Sequence, residues 1–393
     1  MIKMNKQSNF IKIIYFIKFF ADAIFTGYLT MFFEQSFSRN TWEYGILLGV
    51  IPFCALTGNF IWGLLSKNVS KNLFLIKIIL SLESIFMIVL MSNNKDFISL
   101  LISTILFSLF NSPCFTMQDG LASIFSKKEN TNYPSIRYMG STGYLCALLV
   151  GSLLLRLFSN NFVYIFIFAV ILNIICLVLW FFIKPFKDVE KEEVKKIKFT
   201  EVLKNKTFVL YFISYLLIIG SNSVADSYLF SRFKEVNIEE SIYSLIVASE
   251  VLIEIIVMVL INKFIKEDKY VLILKIAVSV IFLRTVLFGF DLPLIALMFA
   301  ASLRGIGWGG FIAVHLMIVR KIVSNNLVTK AISILTILYS LFNGVVTIVA
   351  PSIYNNISLP GFYLLLSITM LIGIIILMFI KFDFKLEGVA NVN

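Results

Sequence analysis

Histidine is all but missing from this 393-residue chain, which has His315 alone, and cysteine is scarce, with four residues that form no C-x-x-C pair. Those two shortages exclude a metal centre of the usual ligand spacing and a disulfide framework. Cys54, Cys114, Cys146 and Cys176 all fall inside apolar runs and read as small hydrophobic side chains. Charge is short as well: 15% of the residues are Asp, Glu, Lys or Arg, against 59% apolar, with 40 phenylalanines. That balance excludes an ordinary soluble domain and points to a polytopic membrane protein. A phosphate-binding loop is absent, which argues against direct ATP drive. No H-E-x-x-H set or nucleophile-base pair is present to make the chain an enzyme. No cofactor is expected.

What the chain does have is apolar length. About twenty residues at about 1.5 Å each cross a hydrocarbon layer of about 30 Å. By that rule the sequence predicts an all-α integral membrane protein of twelve spans, at 10–33, 42–65, 73–92, 97–124, 133–157, 161–183, 207–230, 241–262, 270–289, 292–319, 328–350 and 361–382. The first run is too long for a secretory signal and contains Lys18 and Asp22, so it is read as a retained span.

The net charge of +11 raises the question of a nucleic-acid partner, but the cations sit in short loops between the apolar runs. Counted by side, 25 Lys and Arg fall at the two termini and the even-numbered loops, and five (Arg39, Lys95, Arg156, Arg232 and Lys234) fall on the odd-numbered ones. This is the positive-inside pattern; it places both termini in the cytoplasm and argues against nucleic acid as a partner. The longest loop carries eight lysines between 184 and 206 and divides the chain into a six-span bundle at 1–183, a cytoplasmic linker at 184–206 and a second six-span bundle at 207–393. Within the linker, Val194, Ile197, Val202 and Leu203 spaced among lysines fit either a surface helix or a solvated connection. A short echo supports two related halves: Gly27-Tyr28-Leu29 returns as Ser227-Tyr228-Leu229, each near the outer end of its half's first span.

Charges inside the spans are the candidate functional groups, because a lone charge at the bilayer centre costs about 2.5–3.5 kcal/mol on insertion scales. The acids are Asp22, Glu83, Asp119, Asp226, Glu250 and Glu254; the bases are Lys18, Arg137, Lys275, Arg284 and Arg304. Pairing every base leaves one carboxylate over. Lys18 and Asp22, four residues apart, can neutralise each other, Lys275 can snorkel to the inner surface, and Asp226 reads as a residue of the outer interface. Glu83 has no evident partner. Asp119 and Arg137 end one span and begin the next, so neighbouring antiparallel helices would bring them together as a solute-binding pair. By helical rise Glu250 and Glu254 lie about 14 and 20 Å below the outer end of span eight, Arg304 about 18 Å down span ten and Arg284 about 8 Å down span nine. These four are expected to couple proton movement to transport. His315, beside Arg320 and Lys321, is either a packed interfacial residue or a proton relay. The glycine-rich run Arg304-Gly305-Ile306-Gly307-Trp308-Gly309-Gly310 lacks the strand-turn-helix setting of a nucleotide site. Gly305 with Gly309, like Gly45 with Gly49, has the spacing that lets membrane helices approach closely.

The segment from Tyr133 to Tyr144, Ser-Ile-Arg-x-x-Gly-Ser-x-Gly-Tyr in its core, resembles a signature of the major facilitator superfamily, in the branch that includes lactose permease, nucleoside-proton symporters and phenylpropionate-permease-like proteins. Asp119, Glu254, Arg284 and the glycine-rich stretch extend the resemblance. It implies the major facilitator fold, two six-helix bundles that rock about a central cavity, with protonation of a carboxylate on span eight or ten driving solute entry. The chain departs from the family at Ile318 and Val319, where lactose permease has a carboxylate one turn after its span-ten histidine. It departs again at Gly63-Leu64-Leu65-Ser66-Lys67-Asn68-Val69-Ser70-Lys71, which lacks the usual acid. The expected function is proton-coupled symport of a sugar, oligosaccharide or nucleoside by a monomer in a bacterial plasma membrane, with lipid, protons and the solute as partners. An exporter of drugs or metabolites is the alternative, and a non-transporting membrane sensor a third reading.

Overall fold

The computed structural model describes residues 7–66, 68–92, 96–131, 133–159, 161–185, 200–324 and 327–382. Among these residues every regular element is helical. The first span is broken in two, α1 (Gln7–Thr26) and α2 (Leu29–Ser36), and is followed by α3 (Trp42–Leu65), α4 (Val69–Ser92), α5 (Phe97–Lys128), α6 (Tyr133–Leu157) and α7 (Phe162–Phe181). A short α8 (Thr200–Leu203) precedes α9 (Lys206–Tyr215), which continues through a π turn (Leu216–Gly220) into α10 (Ser221–Ser227) and then α11 (Leu229–Lys234). The remainder is α12 (Glu240–Phe264), a 3-10 turn (Glu267–Lys269), α13 (Tyr270–Phe288), α14 (Leu294–Ile322), α15 (Val328–Ile357) and α16 (Leu359–Phe379). The linker residues 186–199, with Val194 and Ile197, lie outside the described residues; of the α8 residues expected to face the membrane, Val202 is buried and Leu203 exposed.

Among the described residues, eleven helices are long and apolar enough to cross a membrane by length and composition. The remaining expected span, the first, begins with α1, which has 20 residues but carries Lys12, Lys18 and Asp22. The outer surface is that of a protein solvated by lipid: Phe60, Leu64, Ile295 and Phe379 are 66%, 66%, 81% and 81% exposed. Such side chains in water would form an apolar patch with no cover, whereas hydrocarbon accepts them and demands only that backbone groups be satisfied within the helices.

The chain forms two compact units. The first takes in the described residues of Met1–Glu193 together with Ser227–Ala248 and Gly344–Asn356. Its core surrounds Ile14, Ile76, Leu121, Phe125, Cys176 and Trp180, where α1 packs on α6 and α7, and α4 on α5 and α7. In the second unit α13 packs on α14 and α16, around Ile281, Val314, Ile318 and Met370.

The echo read in the sequence marks two helix breaks. Tyr28 has φ −110° and ψ 0°, and Tyr228 has φ −106° and ψ 8°, each between a long helix and a short continuation. Both rings are buried, and each hydroxyl is anchored, Tyr28 to the Ser244 hydroxyl at 2.5 Å and Tyr228 to the Thr347 carbonyl at 2.7 Å. Close helix approach occurs where the glycine spacing foretold it. A Cβ at Gly45 would lie 2.7 Å from the Ile348 carbonyl oxygen.

Candidate functional site

In the first unit, the charge read as unpartnered has a partner. The Lys18 ammonium donates to both oxygens of Glu83, at 2.7 and 2.8 Å, and the two side chains are each 1% exposed. Asn111 from α5 donates to Glu83 at 2.8 Å and to Asp22 at 2.5 Å, and Asn173 from α7 donates to Glu83 at 3.4 Å and to Ser84 at 3.0 Å. Thr26 closes the group by donating to Asp22. Lys18 therefore serves Glu83 across two helices rather than Asp22 one turn along its own. Helical spacing reveals neighbours on one helix; it carries no information about which other helix stands opposite.

Asp119 and Arg137 lie close to one aromatic pair but form no ion pair with each other among the described residues. Asp119 accepts from the Tyr15 hydroxyl at 2.6 Å, and the Arg137 guanidinium lies over the Phe19 ring at 4.6 Å. Tyr15 and Phe19 stack at 5.9 Å, one turn apart on α1, so α1 stands between the two charges. Arg137 is exposed and Asp119 half-buried, which leaves both open to a polar group.

The second unit gathers the other candidates. Asp226 on α10, read from the sequence as an interfacial residue, takes the centre: Arg284 donates to it at 2.6 Å and Arg304 at 3.2 Å. Asn222, one turn before, meets both Asp226 and Arg284 at 3.3 Å. Arg304 also reaches Glu250 and Glu254 on α12, each at 3.7 Å. The glycines set this distance. A Cβ at Gly309 would lie 2.8 Å from the Glu254 carbonyl oxygen, so larger residues there would hold α14, and Arg304 with it, away from α12. Asp226, two residues before the break at Tyr228, meets arginines that come from two other helices, α13 and α14, and apolar length carries no information about such neighbours.

Satisfaction of this cluster is incomplete. One oxygen of Glu250 and two nitrogens of Arg284, Nε and Nη2, are buried without a hydrogen-bond partner. His315 stands outside it. The imidazole Nδ1 pairs with the Tyr211 hydroxyl at 2.6 Å, and the ring stacks on Phe311 at 4.8 Å and Tyr215 at 5.1 Å.

Helices that bury carboxylates and guanidiniums together while facing lipid with phenylalanine and isoleucine have the construction of a carrier. Comparison with known proteins decides the family, since residues 9–365 match the profile of the MFS_1 like family. The chain belongs to the MFS_1 like family. It is a multi-pass membrane transporter of the major facilitator type rather than an enzyme. An uncharacterized transporter, YwbF of Bacillus subtilis (strain 168), is 22% identical over 375 residues, 95% of this chain and 93% of that protein. Among solved structures, the nucleoside transporter NupG superposes with a TM-score of 0.78 at 16% identity, covering 97% of this chain and 100% of that one. The POT family transporter PepTSo gives a TM-score of 0.73 at 11% identity, over 97% and 99% of the two chains. At those identities the structural likeness establishes the MFS fold alone.

Proposed function

We propose that this family member is a proton-coupled symporter that carries a small polar solute, a sugar, oligosaccharide or nucleoside, by alternating access. One observation supports the coupling: among the described residues, Asp226, Glu250 and Glu254 pair with two guanidiniums, those of Arg284 and Arg304. The group holds one negative charge beyond its cations, and a proton on one carboxylate removes it. A coupling ion shifts a conformational equilibrium only if the two states bind it differently. Arg304 supplies that difference, because its 3.7 Å contacts to Glu250 and Glu254 lengthen or shorten with any slide of α14 against α12. Glu254, whose one ion contact among the described residues is with Arg304, is the proposed proton carrier, with Glu250 second and His315 third.

Asp119 and Arg137 are the proposed solute-binding residues, supported by their polar, partly open setting around Tyr15 and Phe19. In this reading 1–183 and 207–393 are the two rocking bundles, joined by a cytoplasmic linker at 184–206, with both termini cytoplasmic in a bacterial plasma membrane. The transporter works as a monomer without nucleic acid. The fold shared with the nucleoside transporter NupG favours a polar solute of that size.

The test is a stabilisation screen of purified protein against sugars, nucleosides and peptides, since a bound solute raises apparent stability by mass action. The solute it finds is then added to energised vesicles. Alkalinisation outside is the expected result, and acidification would instead mark an exporter. Arg137→Lys should lose the stabilisation, because lysine lacks the planar fork of donors; undiminished binding would remove Arg137 from the site.

A further inference from the structure

Two helices of the first unit repeat one polar pattern at one spacing. On α5 it is Asn111, Cys114 and Gln118; on α7 it is Asn173, Cys176 and Trp180, in each case at positions i, i+3 and i+7. Seven residues are close to two helical turns, so the three side chains on each helix form one stripe about 10 Å long. The two stripes start level, because Asn111 and Asn173 both donate to Glu83. They run the same way: the thiol of Cys176 faces the Ile14 carbonyl, four residues before Lys18 on α1, and Asp119, beside Gln118, accepts from Tyr15. Both stripes end in polar groups with no protein partner. Gln118 is 0% exposed with neither amide atom hydrogen-bonded, and Trp180 is 0% exposed with its indole N–H unpaired. Further along at the foot of α1 the buried Ser8 hydroxyl is also without a partner.

Buried polar groups in proteins are nearly always paired, with protein or with bound water. Gln118 offers two donors and an acceptor, while Trp180 offers a donor only. Water accepts from an indole N–H, donates to an amide oxygen and accepts from an amide N–H, so it suits each of the two groups. From this we infer that the interior between α1, α4, α5 and α7 is a binding site for a short run of internal water, held by Gln118 and Trp180. The site belongs to the first unit alone and stands whatever solute or ion the transporter carries.

The thiols of Cys114 and Cys176, both 0% exposed, are built-in reporters one turn from the water ligands. In X-ray radiolytic footprinting, hydroxyl radicals arise from water in place and oxidise adjacent sulfur, so a buried thiol beside bound water is labelled while a dry core is not. The parent protein should label at Cys114 and Cys176 several-fold faster than at Met370, a 0% exposed residue of the second unit's apolar core. Gln118→Met with Trp180→Phe should reduce the labelling of both thiols several-fold, and Trp180→Phe alone, which keeps the ring, should reduce it partway. Folding of each variant is confirmed by an unchanged melting temperature. Thiols labelled no faster than Met370 in the parent, or labelled equally in parent and folded variants, would overturn the site.

Discussion

Two clusters of buried charge answer the same physical problem differently. In the first unit, both oxygens of Glu83 receive donors from Lys18, with Asn111 on one and Asn173 on the other, at 2.7–3.4 Å. In the second, Arg304 spans three carboxylates at 3.2–3.7 Å, and Glu250 and Arg284 keep buried atoms without partners. A fully bonded network in low dielectric is held in one geometry, while a partly bonded one has more than one arrangement of similar energy. Under the proposed function, the first cluster is scaffold and the second is the switch.

The largest effect is expected from breaking the scaffold. Lys18→Met leaves the buried Glu83 without its cation and beside half-buried Asp22, and removing one partner of a buried pair costs about 3–5 kcal/mol. The variant should lose most of its thermal stability in detergent. Adding Glu83→Met should restore much of it, since an apolar replacement of a whole pair is often neutral. If Lys18→Met melts like the parent, the pair is not structural.

A smaller loss of stability but a larger loss of transport is expected from Asp226→Asn, which takes away the carboxylate that Arg284 and Arg304 share. Uptake should fall on the order of tenfold, equivalent to about 1.4 kcal/mol, with the protein still folded. Equal rates in variant and parent would break the comparison from the other side.

The smallest effect belongs to a third group, in the first unit. Arg39 reaches Glu235 at 3.3 Å with both side chains about a quarter exposed, and it also donates to the Ser231 carbonyl, while Tyr354 donates to the Arg39 carbonyl. Pairs of that kind contribute about 0.2–1 kcal/mol. Arg39→Ala should shift melting by no more than about that free energy, and a loss on the scale of Lys18→Met would show that burial does not rank the clusters.

How much of this was legible in the sequence follows from what each signal measures. Apolar length gave the spans, and the tyrosine echo marked the breaks at Tyr28 and Tyr228, because both are properties of local chain. Helical rise was enough to bring Arg304 level with Glu250 and Glu254. It failed for Glu83 and for Asp226, whose partners come from other helices. The ion pair imagined between Asp119 and Arg137 does not form, since α1 places Tyr15 and Phe19 between them.

The central claim is that the under-bonded cluster carries the coupling proton, and one paired assay tests it most directly. Glu254→Gln and Glu250→Gln, which mimic the protonated acid, are reconstituted in proteoliposomes and measured for gradient-driven uptake and for solute counterflow. Glu254→Gln is expected to lose accumulation against a gradient while counterflow continues, because exchange needs the conformational change but not the proton. If both variants accumulate solute as the parent does, the cluster is not the coupling site and the account of the second unit is wrong.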